Sequence, residues 1–322
     1  MSRLVIELTN RCNLRCGHCF EQRHAATGDL PIEIFQKILR EAKDCGIDHF
    51  SFTGGEPTMH DSFNEIVRLA CDSGYSFSFV SNGRRVPKIY PLFLEHRRQF
   101  RGATFSLDGA RRETHDALRG TGSYRQVLRA ASVFVARDLP FTFNMVLTAA
   151  NRGEVGEMVA LAEQLGGDGI RFGHLMGTSE TGSRGLDLTW GQRREVEIEI
   201  WRLRDSSSIP VAMAPGYYSE SPFFPCSPLE LEEFNLDYRG NLTLCCQLSG
   251  LSGLNTGSDV FGNLREISLA EACARFQKRV SVYLADKRAR IAAGAFGERD
   301  HFPCWYCVKY LGKVSGGRAE SA

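Results

Sequence analysis

The sequence predicts an α/β protein built from parallel strands, because short apolar segments alternate with amphipathic helical patterns through its first half. Six strands are expected to start near residues 4, 49, 77, 103, 141 and 169, with helical segments between them. Right-handed crossovers wind such β/α units either into an open doubly wound sheet or around a barrel. Periodicity alone leaves both open, and both place functional groups on the loops after the strands.

Each element carries its own local signal. Asp29 is expected to cap a helix that ends before Gly46, Asp61 to cap the next, and Ser123 with Gln126 to form a capping box. The strands are expected over 4–8, 49–52, 77–80, 103–107, 141–147 and 169–175, and the helices over 32–42, 63–70, 124–137 and 155–165.

Beyond about residue 185 the alternation ends. A charged helix is expected over 190–205, a segment rich in Pro and Ser follows, and six of the eleven cysteines lie from Cys226 onward. We therefore expect a smaller second module that carries cysteines. The predicted divisions are a core over 1–187, a bridging helix and linker over 188–225, the cysteine module over 226–311 and a flexible tail over 312–322.

Composition excludes several classes of function. The 39 Lys and Arg residues nearly balance 38 Asp and Glu residues, and a net charge of +1 gives no reason to expect a nucleic-acid partner. No secretory signal and no apolar run of about 20 residues is visible, so no membrane association is expected. Eleven cysteines cannot close into a complete disulfide framework. We therefore expect the chain to be cytoplasmic, and in the cytoplasm clustered thiols more often bind metal.

The first cysteine cluster lies in the loop after the first strand. Cys12, Cys16 and Cys19 have the spacing C-x3-C-x2-C, which lets three thiolates converge on one centre of iron–sulfur, zinc or Cu(I). Three ligands leave one coordination position open, which is typical of a reactive site. Gly54-Gly55-Glu56 follows the second strand, where two glycines allow close backbone approach and Glu56 offers an acceptor for an ammonium group.

At these residues the sequence resembles the radical S-adenosylmethionine (SAM) superfamily. The resemblance implies a partial (β/α)6 TIM-like barrel and a [4Fe–4S] cluster held by the three loop cysteines. Gly54, Gly55 and Glu56 would hold the methionine ammonium of SAM, whose reductive cleavage yields a 5′-deoxyadenosyl radical. His18 stands where the family usually has an aromatic residue. Ser106 is a candidate contact for the SAM ribose or carboxylate, and Arg119 for a charge near SAM.

Four more cysteines form a second set in the C-terminal module. Cys226 and Cys245 flank a glycine, and Cys304 and Cys307 form C-x2-C, a set that could also bind zinc. The pattern resembles the SPASM and twitch extensions of radical SAM enzymes, and implies one fully ligated auxiliary [4Fe–4S] cluster. Cys246 is then a spare thiol and a candidate hydrogen-atom donor. The three cysteines in helical stretches are expected to be core residues: Cys45, Cys71 and Cys273.

The function implied is that of a radical SAM oxidoreductase or maturase acting on a peptide or small natural-product precursor. The auxiliary cluster would transfer electrons during an oxidation, cross-linking or epimerisation, and an electron donor such as flavodoxin or ferredoxin is expected. No N-terminal peptide-recognition domain precedes the cysteine loop, which favours a small substrate or a peptide delivered by another protein. Arg171, His174 and Arg184 could face an anionic substrate. The alternative is a non-catalytic iron–sulfur or zinc scaffold or electron carrier on such a barrel.

Overall fold

One ten-stranded sheet runs through the described residues of this computed structural model, which are 2–19, 27–176, 182–224, 226–249 and 257–313. The strands are β1 (Ser2–Thr9), β2 (Ile47–Gly54), β3 (Ser76–Ser81), β4 (Phe100–Ser106), β5 (Phe141–Leu147), β6 (Ile170–His174), β7 (Val211–Met213), β8 (Glu233–Leu236), β9 (Asn241–Thr243) and β10 (Val260–Asn263). The helices are α1 (Ile32–Glu41), α2 (Phe63–Asp72), α3 (Val86–Glu95), α4 (Arg112–Arg119), α5 (Ser123–Ala136), α6 (Val155–Gln164), α7 (Trp190–Ser206), α8 (Cys246–Ser249), α9 (Leu269–Ala292) and α10 (Pro303–Tyr310).

The strand order decides between the two predicted architectures. Strands β1 to β6 lie side by side in chain order and are all parallel. A doubly wound sheet reverses its order near the middle, whereas consecutive right-handed crossovers place every helix on one face. The barrel stays open, since β7 continues the sheet beside β6 while β8, β9 and β10 extend it beyond β1. The predicted partial barrel is confirmed.

A layer of phenylalanine rings fills the space between the sheet and the helices. Alternate residues of each strand point to this face, and their rings pack on Phe93 of α3 and Phe134 of α5, with Phe79 and Phe93 centroids 4.8 Å apart. The buried rings on the strands are Phe50, Phe52, Phe77, Phe79, Phe100, Phe105, Phe141, Phe143 and Phe172. The residues between them on the opposite face are mainly polar: Ser51, Ser78, Thr104, Asn144 and Arg171. The interior of the half-barrel is therefore available for polar chemistry.

Two predicted helix caps are wrong because their carboxylates lie elsewhere. Helix α1 begins after Pro31, and Asp29 instead accepts hydrogen bonds from Thr9 and from Arg11, whose Nε lies 2.9 Å away. Asp61 does not cap α2 and is an exposed second partner of Arg11. Both acidic residues therefore hold the start of the cysteine loop.

The predicted capping box at Ser123 is also wrong. Ser123 is the first residue of α5 and not its cap, and the carboxylate of Asp116 accepts hydrogen bonds from the backbone N–H groups of Gly122 and Tyr124. Asp116 belongs to α4, whose bounds, like those of α3, the sequence did not locate. The cap of α5 thus comes from the preceding helix.

The C-terminal cysteine module continues the barrel sheet. Strand β8 pairs in parallel with β1, and a turn at Gly240, whose φ is +89°, joins it to antiparallel β9. Lys313, expected in the tail, is buried and donates to Asp259 and to the carbonyl of Leu248. Residues 314–322 lie outside the described part of the chain, and the predicted domain divisions stay predictions.

All eleven cysteines carry free thiols. Cys71 and Cys273 are buried as expected, and the half-buried Cys45 interacts with Cys273. Across the described ranges, no helix combines the length and the apolar character needed to cross a bilayer.

Truncation of a side chain in the phenylalanine layer should strongly destabilise the fold. Phe93→Ala should lower the free energy of unfolding by about 3–5 kcal/mol, because Phe93 is fully buried against Phe79, Phe100 and Phe134. Val135→Ala on α5 is the control, since that side chain is 52% exposed and should change stability by less than about 0.5 kcal/mol. Anaerobic urea denaturation of the metal-free chain measures both, and similar values for the two variants would contradict the role of this layer.

Candidate functional site

The cysteine loop is fixed to the carboxyl edge of the sheet by two glycines. The N–H of Gly55 donates to the carbonyl of Thr9 at 2.7 Å, and the N–H of Glu56 to that of Arg11 at 2.8 Å. A Cβ on Gly54, whose φ is +125°, would lie 2.1 Å from the Thr9 oxygen, and one on Gly55 would lie 2.4 Å from the Arg11 oxygen. Only glycine permits this approach.

Glu56 is a fully buried carboxylate that binds β2 and β3 together. It accepts hydrogen bonds from the Thr58 hydroxyl at 2.7 Å, the Ser81 hydroxyl at 3.0 Å and the Asn82 N–H at 2.9 Å. Burial raises the pKa of Glu56, and these donors oppose that rise. The Asn82 amide in turn donates to Asn13 of the cysteine loop at 2.8 Å. The carboxylate oxygens of Glu56 thus accept hydrogen bonds from groups of the protein. Contact of Gly54, Gly55 and Glu56 with a methionine ammonium stays a prediction.

A second fully buried carboxylate, Asp108, was not among the predicted site residues. It pairs with the Nε of Arg119, lies 3.2 Å from the Nε2 of His18 and accepts the N–H of Val146 at 2.8 Å. Burial opposes its ionisation, but Arg119 and then His18 outweigh burial and lower the pKa of Asp108. The available signal was an acidic residue directly after a strand, with an arginine on the following helix.

Asp108 places a cation beside the cysteine loop. The Nη1 of Arg119 lies 4.0 Å from the Sγ of Cys16, and the Gly17 N–H donates to the Leu118 carbonyl of the same helix at 2.8 Å. Burial raises the pKa of the Cys12 thiol to about 11 and also raises the pKa of Cys16. The positive charge of Arg119 opposes both increases. The site thus places a buried positive charge against a predicted cluster ligand.

A row of polar residues crosses the inner face of the half-barrel. Ser106, Asn144 and Arg171 are register partners on β4, β5 and β6, so their side chains share one face. Gly173 lies beside the Asn144 amide, and a Cβ on Gly173 would be 3.7 Å from the amide nitrogen and oxygen. The predicted SAM contact Ser106 therefore begins a row that ends in an exposed arginine.

The other two basic residues proposed to face a substrate are placed differently. His174 is buried beneath Gly216, where a Cβ would lie 2.3 Å from its ring, and its Nδ1 has no hydrogen-bond partner among the described residues. Arg184 lies against the cysteine loop, since a Cβ on Gly17 would be 3.0 Å from its Nη1. Of the three, only Arg171 belongs to the row on the inner face.

The four cysteines of the second set line one small cavity that is partly open to solvent: Cys226, Cys245, Cys304 and Cys307. The rest of its wall is mainly apolar and includes Met176, Leu229, Leu244, Leu248 and Pro303. Burial raises the pKa of Cys226 to about 12. Three separate segments of the chain thus bring four cysteine sulfurs to one apolar space.

Cys246 is not one of the residues that line this cavity. Its thiol hydrogen-bonds with that of Cys245, which together with burial raises the pKa of Cys246 well above the usual range of a thiol. Arg171 acts electrostatically on it. Cys246 is therefore next to a cavity-lining cysteine and within electrostatic range of Arg171.

Both cysteine sets suit iron–sulfur clusters by their chemistry. Within the described ranges, no three His, Cys, Asp or Glu side chains are close enough to hold a single metal ion. Thiolates on a loop beside a buried arginine, and thiolates in an apolar cavity, are donor sets and surroundings in which iron–sulfur clusters are held. The residues present fit the clusters that the sequence resemblance implies.

Comparison with known proteins agrees with this arrangement. The sequence profile of the Radical SAM superfamily matches residues 6–162, which include the cysteine loop and strands β2 to β5. Residues 6–162, just under half of the chain, therefore form a radical SAM domain.

Several named proteins are similar to half of this chain or more. AlbA, the antilisterial bacteriocin subtilosin biosynthesis protein of Bacillus subtilis, is 30% identical over 52% of this chain and 38% of its own length. The mycofactocin maturase MftC of Mycobacterium ulcerans is 31% identical over 51% of this chain and 44% of that protein. The PqqA peptide cyclase of Methylocella silvestris is 25% identical over 83% of this chain and 72% of the cyclase. The chain thus spans less than half of the length of two of these relatives.

Solved structures share the fold beyond the matched segment. Streptococcus suis SuiB bound to S-adenosylmethionine superposes with a TM-score of 0.69, at 17% identity, over 83% of this chain and 64% of SuiB. The enzyme anSMEcpe with bound AdoMet gives 0.66 at 18% identity, over 84% of this chain and 80% of that one. At these identities the likeness concerns the fold.

The glycine contacts predict a specific loss at the cysteine loop. Gly54→Ala should remove about half of the iron bound after anaerobic reconstitution, because the new Cβ displaces the start of that loop from Thr9. Gly46→Ala is the matched control, since Gly46 also has a positive φ of +72° but has nothing within 4 Å of the Cβ position. Iron and sulfide analysis distinguishes the two, and full iron content in Gly54→Ala would contradict this account of the motif.

Buried histidines predict that the metal-free chain loses stability in mild acid. Burial lowers the pKa of His115 to about 4 and that of His174 to about 3, below the value of about 6.5 in an unfolded chain. Below pH ~6.5 the unfolded state binds more protons than the folded state. The free energy of unfolding is therefore highest above pH ~6.5 and falls toward pH ~4 by up to ~1.4 kcal/mol per pH unit for each histidine. In His174→Phe, the midpoint of urea denaturation should fall less between pH 7.5 and pH 5 than it does in the wild-type chain. An unchanged dependence of the midpoint on pH would contradict the role of His174.

Proposed function

We propose that this chain is a radical SAM enzyme that modifies a peptide, with one cluster that binds SAM and a second cluster that transfers electrons. The observation that carries the proposal is the pair of unlike cysteine sets. Three cysteines lie on a loop at the carboxyl edge of a half-barrel, and four line a separate apolar cavity. The first set leaves a coordination position for a substrate, and the second is complete.

At the first set, Cys12, Cys16 and Cys19 would hold a [4Fe–4S] cluster. The chemistry that this cluster supplies when bound is the one-electron cleavage of SAM to methionine and a 5′-deoxyadenosyl radical. Asp108 holds the Arg119 guanidinium beside the loop, where it can attract the SAM carboxylate. Ser106 offers a hydroxyl to SAM from the end of β4, on the inner face of the half-barrel.

At the second set, Cys226, Cys245, Cys304 and Cys307 would hold an auxiliary [4Fe–4S] cluster. Four protein ligands leave no iron free for substrate, which suits electron transfer during an oxidation, a cross-link or an epimerisation. Cys246 is proposed as a hydrogen-atom donor because it adjoins this cavity and lies near Arg171 of the inner face.

The proposed substrate is a peptide. SuiB has been solved with its precursor peptide SuiA, and AlbA and the PqqA cyclase are named for the biosynthesis of a bacteriocin and for a peptide. In this chain, the polar row from Ser106 to Arg171 supports the same use of the inner face, since amide and guanidinium groups bind backbone carbonyls and carboxylates. A flavodoxin or ferredoxin in the cytoplasm would supply the electron.

The two sets should be separable by substitution. Wild-type protein should bind about eight iron atoms after anaerobic reconstitution and, with dithionite and SAM, release 5′-deoxyadenosine. Cys16→Ala should lose about half of the iron and all of this cleavage. Cys304→Ala should lose the other half and keep the cleavage. Cys71→Ala, in the core outside both sets, is the control and should match wild type.

Two outcomes would contradict the proposal. Unchanged iron in Cys304→Ala would remove the auxiliary cluster. Eight irons with no 5′-deoxyadenosine in the wild-type protein would favour the non-catalytic scaffold. Mass-spectrometric screening of short precursor peptides with active protein then tests the substrate class.

A further inference from the structure

Lys287 is a buried cation that forms no ion pair with a carboxylate of the described residues. It lies on α9 with 3% of its surface exposed, and its Nζ is 4.6 Å from the ring centroid of Tyr306 and 5.5 Å from that of Phe296. The nearby Asp300 is held instead by Lys309, with their charged atoms 2.8 Å apart. Among the described residues, the Lys287 ammonium thus has aromatic faces around it and no ion pair of its own.

Two of the groups that act on Lys287 are cysteines that line the four-cysteine cavity. Burial lowers the pKa of Lys287, and Cys307, Asp300 and Cys226 oppose that change. Tyr283, one helical turn earlier on α9, places its hydroxyl 3.2 Å from the Sγ of Cys307. Tyr283 and Lys287 therefore face the same wall of the cavity from consecutive turns.

An anion at the cavity would explain this burial. An unpaired ammonium in a protein interior is costly, and cation–π contacts offset only part of that cost. A cluster with four thiolate ligands is anionic and gains one further negative charge when it is reduced. A fixed cation nearby stabilises the reduced form more than the oxidised form, because the attraction grows with the charge.

We propose that Lys287 is the counter-charge of the auxiliary cluster and raises its reduction potential. The inference rests on the proposed function, in which the four cysteines hold that cluster. Lys287 is a positioning residue in this account and touches neither SAM nor substrate. Its effect is to make the auxiliary cluster a better electron acceptor.

The test is a redox titration followed by electron paramagnetic resonance. The full chain carries Cys12→Ala, Cys16→Ala and Cys19→Ala, so that only the auxiliary cluster can form. In that background, Lys287→Met should lower the equilibrium constant for reduction at least tenfold, which is 59 mV for one electron. Lys287→Arg keeps the charge and should stay within about threefold of the parent. Lys278→Met is the matched control on the exposed face of α9 and should leave the potential unchanged.

Each outcome bears on one claim. A parent background that binds no iron would overturn the proposed auxiliary cluster itself. Bound iron with equal potentials in the parent and Lys287→Met would overturn the role of Lys287 and leave the cluster intact. Loss of the cluster from Lys287→Met but not from Lys287→Arg would support a need for the charge. Loss from both would show that Lys287 only packs, and would overturn the inference.

Discussion

Two fully buried carboxylates, Glu56 and Asp108, determine how the cysteine loop is held. A carboxylate removed from water is costly unless several donors surround it. Glu56 takes its donors from the ends of β2 and β3, and Asp108 takes its donors from α4, β5 and the loop itself. Satisfying the two charges therefore fixes four strand ends, one helix and the cysteine loop relative to one another.

The sheet makes this arrangement possible by giving its two faces different tasks. Phenylalanine rings bury one face against the helices, which leaves the other face free to carry polar groups without loss of the core. Because parallel strands end at the same edge, Gly54, Ser81, Ser106 and Arg119 reach one region from distant parts of the sequence. The C-terminal strands join the same sheet through β8, so the four-cysteine cavity is tied to the frame that carries the loop.

Much of the frame could be predicted from sequence because its signals are local. Apolar alternation identified strands β1 to β6, and cysteine spacing identified both sets. Helix α4 has the sequence RETHDALR, with too few apolar residues for a helical period, and α3 contains Pro91, a residue typical of loops. Neither helix could be read from periodicity.

The roles that escaped prediction depend on distant partners. Asp108 matters because Arg119 and His18 converge on it, and Lys287 because α9 packs beside the cysteine cavity. Asp29 resembles a helix cap in sequence but binds Arg11, since the loop between them brings both residues to the same edge. No local pattern encodes the pairing of β8 with β1, whose residues lie about 230 positions apart.

The central claim is that one cysteine set is open to SAM and the other is closed. Mössbauer spectroscopy of protein reconstituted with ⁵⁷Fe, recorded before and after addition of SAM, tests it most directly. The account predicts two [4Fe–4S] components of equal weight, of which one changes at a single iron while the other is unaffected. Two components that both respond to SAM, or neither of which responds, would contradict it.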